Sequence, residues 1–187
     1  MSLGLGFRMH AERTPNPNSI KWVLGEPVAP AGTAASFPEA VGPETSPLAA
    51  RLFAVRGVTG VFFAPTFVTV TKSDAAEWME LAEPLVDAIK AFVASGEDAL
   101  GPAYEAGAPV AEGDVVGKIR RILEEQVRPA VAMDGGDVVF AGYSDGVVEV
   151  HLQGSCAGCP SSTATLRFGI EQRLREEVPE VTKVVSV

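Results

Sequence analysis

Cysteine is almost absent from this chain: 187 residues carry two, Cys156 and Cys159, so no disulfide framework is available to staple the fold. None is needed, because this length lets one or two domains bury an apolar core. Long apolar runs are missing as well. No stretch approaches the roughly 20 residues of a membrane-spanning helix, so neither such a helix nor a membrane partner is expected. Residues 1–10 hold no apolar segment of signal-peptide length and are short for a transit peptide. The expected location is cytoplasmic, or the mitochondrial matrix if a transit peptide has been removed. Basic residues are scarce: 15 Lys and Arg face 24 Asp and Glu, a net charge of -9. Without a basic cluster, nucleic acid is excluded as the principal ligand, since phosphate binding rests on grouped Lys and Arg. The acidity is spread, with 7 basic and 13 acidic side chains up to Gly113 and 8 and 11 from Asp114 onward. It therefore aids solubility and singles out no partner.

What is present falls into two segments without an internal repeat. Residues 95–113 (SGEDALGPAYEAGAPVAEG) are rich in Gly, Ala and Pro, and no Lys or Arg occurs between Lys90 and Lys118, which marks a linker. Before it, residues 19–24 and 28–31 read as short strands around Gly25-Glu26-Pro27. Ser46-Pro47 opens a helix to about Val55, Pro47 suiting a first helical position because its missing N–H would be unpaired there anyway. Residues 58–63 and 67–71 read as a hairpin around a longer turn, Ala64-Pro65-Thr66. A helix over about 75–93 carries Trp78, Leu81, Leu85, Ile89 and Phe92 at helical spacing, with Pro84 predicting a kink or restart. Trp22 and Trp78 are assigned to core packing.

After the linker, Val115, Ile119, Ile122, Val127 and Val131 form one helical stripe that ends before Asp134-Gly135-Gly136. Residues 138–143 and 147–153 pair across Ser144-Asp145-Gly146, with Val148, Val150 and Leu152 facing one way and Glu149, His151 and Gln153 the other. Leu166, Ile170, Leu174 and Val178 mark a second helix, opened by Pro160, and residues 181–187 add a last strand. The fold class expected is α+β: two small domains, the C-terminal one helix, hairpin, helix, strand, with the CxxC pair at the start of its second helix.

That pair, in Gly154-Ser155-Cys156-Ala157-Gly158-Cys159-Pro160, is the candidate site. Two thiolates are half of what a tetrahedral zinc or an iron-sulfur cluster normally takes. Either two copies share a metal centre or the pair does redox chemistry. The position suits an anionic cluster, because unpaired N–H groups and the helix dipole favour negative charge at a helix start. A shared centre further expects both thiols on an exposed loop. A thiol-disulfide oxidoreductase is the alternative, since CxxC at a helix start can hold a low-pKa thiolate. Against it stand the lack of Lys or Arg between Pro129 and Leu166 and a CxxC that follows a hairpin instead of the first strand of a βαβ unit. A plain buried thiol pair does not call for the flanking Gly and Pro. His151 is a candidate third ligand by nearness in sequence, but its strand parity places it on a solvated face. Asp134-Gly135-Gly136-Asp137 lacks the Gly-Lys-Ser/Thr of a phosphate loop and reads as a helix C-cap with Gly at positive φ.

Val127-Arg128-Pro129, Asp134-Gly135-Gly136-Asp137-Val138 and Gly154 to Ser162, in this order and spacing, resemble the C-terminal NifU-like (Nfu) domain. Thr14-Pro15-Asn16-Pro17-Asn18, Ser46-Pro47-Leu48-Ala49, Gly57-Val58 and Val61-Phe62-Phe63 resemble the Nfu N-terminal domain. The resemblance implies an N-terminal domain over 13–94, a linker over 95–113 and a cluster-binding domain over 114–187. It also implies a carrier, not an enzyme. In it, Cys156 and Cys159 of two subunits jointly hold a 4Fe-4S cluster, 2Fe-2S being the lesser option, so the chain is a homodimer through the cluster. The cluster comes from an upstream donor and is delivered to apo-proteins. Met133 departs from the family pattern, where many relatives carry an acidic residue. The absence of other cysteines sets aside the longer NifU arrangement.

Overall fold

The computed structural model describes residues 7–105, 114–157 and 160–187. The chain holds both helices and sheets, the α+β class, and divides into two compact units, Met1–Ala106 and Gly107–Val187.

The first unit runs β1 (Met9–Arg13), β2 (Ser19–Leu24), β3 (Ala35–Phe37), α1 (Pro47–Phe53), β4 (Val58–Ala64), β5 (Phe67–Lys72) and α2 (Trp78–Ser95). Its sheet has the order β1-β2-β5-β4-β3, antiparallel throughout. Strand parity puts Trp22, Val61, Phe63, Val68 and Val70 in one core with Leu48 and Leu52 of α1 and Leu81, Leu85, Ile89 and Phe92 of α2. Trp78 is only half-buried against that core, its Nε1 donating to Pro17 O at 3.2 Å. Three sequence expectations are corrected here, and one strand is added. Residues 28–31 form no strand: Pro27 and Pro30 have no N–H to give a ladder, and the strand that pairs with β4 is β3 instead. Met9–Arg13, with too few apolar residues to announce itself, is ordered by pairing along β2. The β4–β5 turn is tight, because Ala64 pairs with Phe67 and leaves only Pro65 and Thr66 between them. Pro84 neither ends nor restarts α2, which runs as one helix of 18 residues. Within the 95–113 span, Ala99 is 3% exposed in the first core, and Gly101 and Ala103 donate to Thr45 O and Glu44 O, each at 2.9 Å.

The second unit runs α3 (Asp114–Ile122), a π turn (Leu123–Val127), α4 (Arg128–Met133), β6 (Gly136–Ser144), β7 (Val147–Gly154), α5 (Pro160–Glu177) and β8 (Lys183–Ser186). The single helix expected from the apolar stripe is therefore three helical pieces in succession. Pro129 supplies the reason: it has no N–H for an α-type bond to Glu125, and its ring would press on that carbonyl. Just before it, Arg128 N donates to Leu123 O, a bond of five-residue reach. β6 and β7 form the expected hairpin, Asp145 (φ 49) and Gly146 (φ 80) both being left-handed in its turn. Val148 and Val150 are buried while Glu149 and His151 are exposed, as the alternation predicts. β8 pairs with β7 in parallel, so α5 is a crossover helix.

Candidate metal centre

The β7–α5 turn is fixed by the loop that leaves α4. Asp134 N and Gly135 N donate to Val131 O (3.1 Å) and Ala132 O (3.0 Å), and Gly135 takes φ 77. This is the glycine C-cap expected from the sequence. Gly136 then pairs with Gly154 at the end of the β6–β7 ladder. Ser155, 1% exposed, ties the two segments together: its N donates to Gly135 O at 3.2 Å and its Oγ to Asp134 O. Ala157 N closes the turn on Gly154 O (3.1 Å), and Thr163 Oγ1 in the first turns of α5 donates to Cys156 O (3.2 Å).

Cys156 lies in this turn, yet its side chain is only 6% exposed and belongs to the core cluster with Val138 and Ile170. The expectation of an exposed loop thus fails for this thiol. The reason is Gly136: a Cβ at that position would stand 2.5 Å from Cys156 Sγ and 2.8 Å from Gln153 O, so the missing side chain is the space the sulfur fills. Cys159 and Gly158 lie outside the described residues. His151 is exposed and donates from Nδ1 to Val187 O at 2.9 Å, on the sheet face opposite Val148 and Val150. Met133, where the sequence departs from the family pattern, is 74% exposed.

One pair of charges escaped the sequence reading. Arg128 donates from Nε and Nη2 to the two oxygens of Asp137, both at 2.7 Å, and Asp137 is 4% exposed. Asp137 Oδ1 also accepts from Val138 N at 2.8 Å. The Asp137 hydrogen bonds hold the Arg128 guanidinium above its ordinary pKa, against the opposing effect of partial burial. The pair bridges the start of α4 and the start of β6, next to the residue that touches Cys156. Nine residues apart and across a helix end, the two carry no periodic signal that links them. The parallel β8 bears on the site as well, for it makes β7, α5 and β8 a βαβ unit. One of the two sequence arguments against redox chemistry is thereby removed, because strand orientation is invisible in a single apolar stretch. Among the described residues, no group of three or more His, Cys, Asp and Glu is placed to hold a metal ion.

Residues 9–96 match the family model for the scaffold protein Nfu/NifU N terminal, and residues 119–185 match the NifU-like domain. The NFU1 iron-sulfur cluster scaffold homolog, mitochondrial, of Homo sapiens is 42% identical over 183 residues, 96% of this chain and 71% of that protein. The chain belongs to the Nfu iron-sulfur cluster scaffold family. The protein of the same name from Drosophila erecta is 41% identical over 96% of the Nfu chain, which spans 64% of that relative's length. A NifU-like protein from Saccharomyces cerevisiae, solved by solution NMR, shares 23% identity over 55% of this chain and 91% of its own, at a TM-score of 0.47. Both halves of the resemblance read from the sequence are borne out. No helix among the described residues is long and apolar enough to cross a membrane.

Proposed function

We propose that this Nfu chain is a carrier that holds an iron-sulfur cluster between two copies, each contributing Cys156 and Cys159, and passes it to apo-proteins. The expected cargo is 4Fe-4S, received from an upstream donor. The observation that carries the reading is the pair itself: the only two thiols of the chain stand three residues apart in sequence, inside the segment that matches the NifU-like domain. Two ligands leave a four-thiolate cluster half held, which a second copy completes. In this reading 114–187 is the cluster-binding domain, the linker lies within 95–113 beyond the part packed on the first core, and 13–94 serves partner recognition or dimer control. Cys156 turns out of its place against Gly136 to reach the cargo, and α5 presents its dipole and N-terminal N–H groups to the anionic cluster. A cluster held by two ligands from each side yields them to acceptor thiolates one at a time, so its lability is the function and no turnover chemistry is required. The relatives are named mitochondrial, which bears on a matrix location and not on a cytoplasmic one.

The test is anaerobic reconstitution with iron and sulfide, followed by size exclusion with iron analysis. A brown dimer with about four irons per pair is expected, and Cys156→Ser or Cys159→Ser alone should abolish both colour and cluster-linked dimer. A single variant that still assembled a normal cluster would refute shared ligation. Colourless protein with disulfide reductase activity would put the oxidoreductase first.

A further inference from the structure

A groove of about 420 Å³ opens on the first unit between the loop after β2 and the last turn of α2. Pro27, Val28 and Pro30 form one wall, and Phe92, Val93 and Gly96 the other. The walls are fixed before anything binds. Val28 N donates to Pro65 O at 2.7 Å and Gly25 N to Arg8 O at 2.7 Å, while Gly96, at φ 68, caps α2 through Val93 O. Three carboxylates, Glu26, Glu97 and Asp98, line the same groove. Arg51 engages Glu97 at 2.8 Å, whereas neither Glu26 nor Asp98 has an ion-pair partner among the described residues. The C-terminal end of α2 adds to this field, because its last turn holds no basic residue and its final carbonyls carry the negative end of the helix dipole.

We infer that this groove docks an extended segment of a partner protein in which a Lys or Arg stands next to apolar side chains. The apolar side chains lie against Pro27, Pro30 and Val93, the accessible apolar lining, and the cation faces Glu26, Asp98 and the α2 carbonyls. Charge selects this occupant over two others. The linker of this chain offers no cation, since no Lys or Arg occurs between Lys90 and Lys118, and a second copy brings a net charge of -9 to an acidic site. The groove lies wholly within the first unit, so docking is separable from cluster binding. It gives the N-terminal unit a chemistry by which partners are told apart.

The probe is the capped peptide acetyl-Ala-Leu-Arg-Leu-Lys-Pro-Ala-amide, titrated into the full-length, cluster-free, nitrogen-15-labelled chain. Its control is the same peptide with Glu in place of Arg and Lys. Saturable shifts at the amides of Val28, Ala29, Val93, Gly96 and Glu97 are expected with the basic peptide only, weakening as salt is added. The double variant Glu26→Gln, Asp98→Asn changes two exposed side chains and should weaken binding about fivefold. Equal response to both peptides, shifts centred elsewhere, or none at millimolar peptide overturns the proposal. So do concentration-dependent shifts of these amides without peptide, which would make a second copy the occupant. Repeating the titration with Cys156→Ser should change nothing, so the result is read independently of whether the cluster proposal holds.

Discussion

At the scale of single residues, the site depends on a side chain that is missing and on a charge pair that is nearly hidden. Gly136 leaves the space that Cys156 Sγ fills, so Gly136→Ala sets a methyl against sulfur and against the Gln153 carbonyl, which is backbone and cannot swing away. The expected cost is about 1–3 kcal/mol, as for overpacking elsewhere. Thermal unfolding and iron per chain after reconstitution should both fall, and a variant with full iron loading would show that this contact is irrelevant to ligation. Arg128→Gln removes the partner of a carboxylate that is 4% exposed. Breaking fully buried pairs costs about 3–5 kcal/mol, and because the Arg128 side chain is 34% exposed about 2 kcal/mol is expected. Arg173→Gln, whose partner Glu176 is half exposed, should stay within about 0.5 kcal/mol. Chemical denaturation of the two variants side by side checks the contrast. The Arg128 pKa is raised on folding, so its contribution is complete below the ordinary arginine value and is lost only above it; the pair should not weaken between neutral pH and pH 10.

At the scale of elements, the ends matter more than the middles. The start of α1 was legible at Ser46-Pro47 because Pro suits a first helical position, and the structure adds that Ser46 is the cap, Ala49 N donating to its Oγ at 3.1 Å. Its second bond, from Oγ to Ala99 O at 2.6 Å, was not legible, for it joins residues 53 apart. Ser46→Ala therefore removes a cap and leaves a buried carbonyl unsatisfied, and a loss of about 2 kcal/mol is expected, toward the upper end for caps. A urea midpoint that falls with an unchanged slope would confirm it. The π turn teaches the same lesson. The apolar stripe from Val115 to Val131 has helical spacing, and that periodicity could not register the one residue by which a wider turn before Pro129 departs from it.

At the scale of the whole molecule, each unit has its own buried cluster, and Tyr104 shows how far the first one reaches. Its ring packs on Phe37 with centroids 6.0 Å apart, and burial raises its pKa above the ordinary 10.0. The stability it protects is present below pH 10.0 and is lost as pH rises through the folded value, because the unfolded chain ionises first. Tyr104→Phe should flatten the alkaline limb of the stability curve, and an unaltered limb would place the ring in water. Composition alone reads Tyr104 as part of a Gly-, Ala- and Pro-rich connector, since chain statistics do not record which unit a residue packs against. The local facts were readable along the chain: two thiols, the hairpin of the second unit, the amphipathic helices, the glycine cap and the family they spell. Periodicity and turn chemistry are properties of neighbours along the chain. Packing alone makes β8 run parallel to β7, brings Arg128 to Asp137 and stows Cys156 against Gly136. Each of these joins residues whose separation in sequence carries no period, so the packing of one segment on another had to settle it.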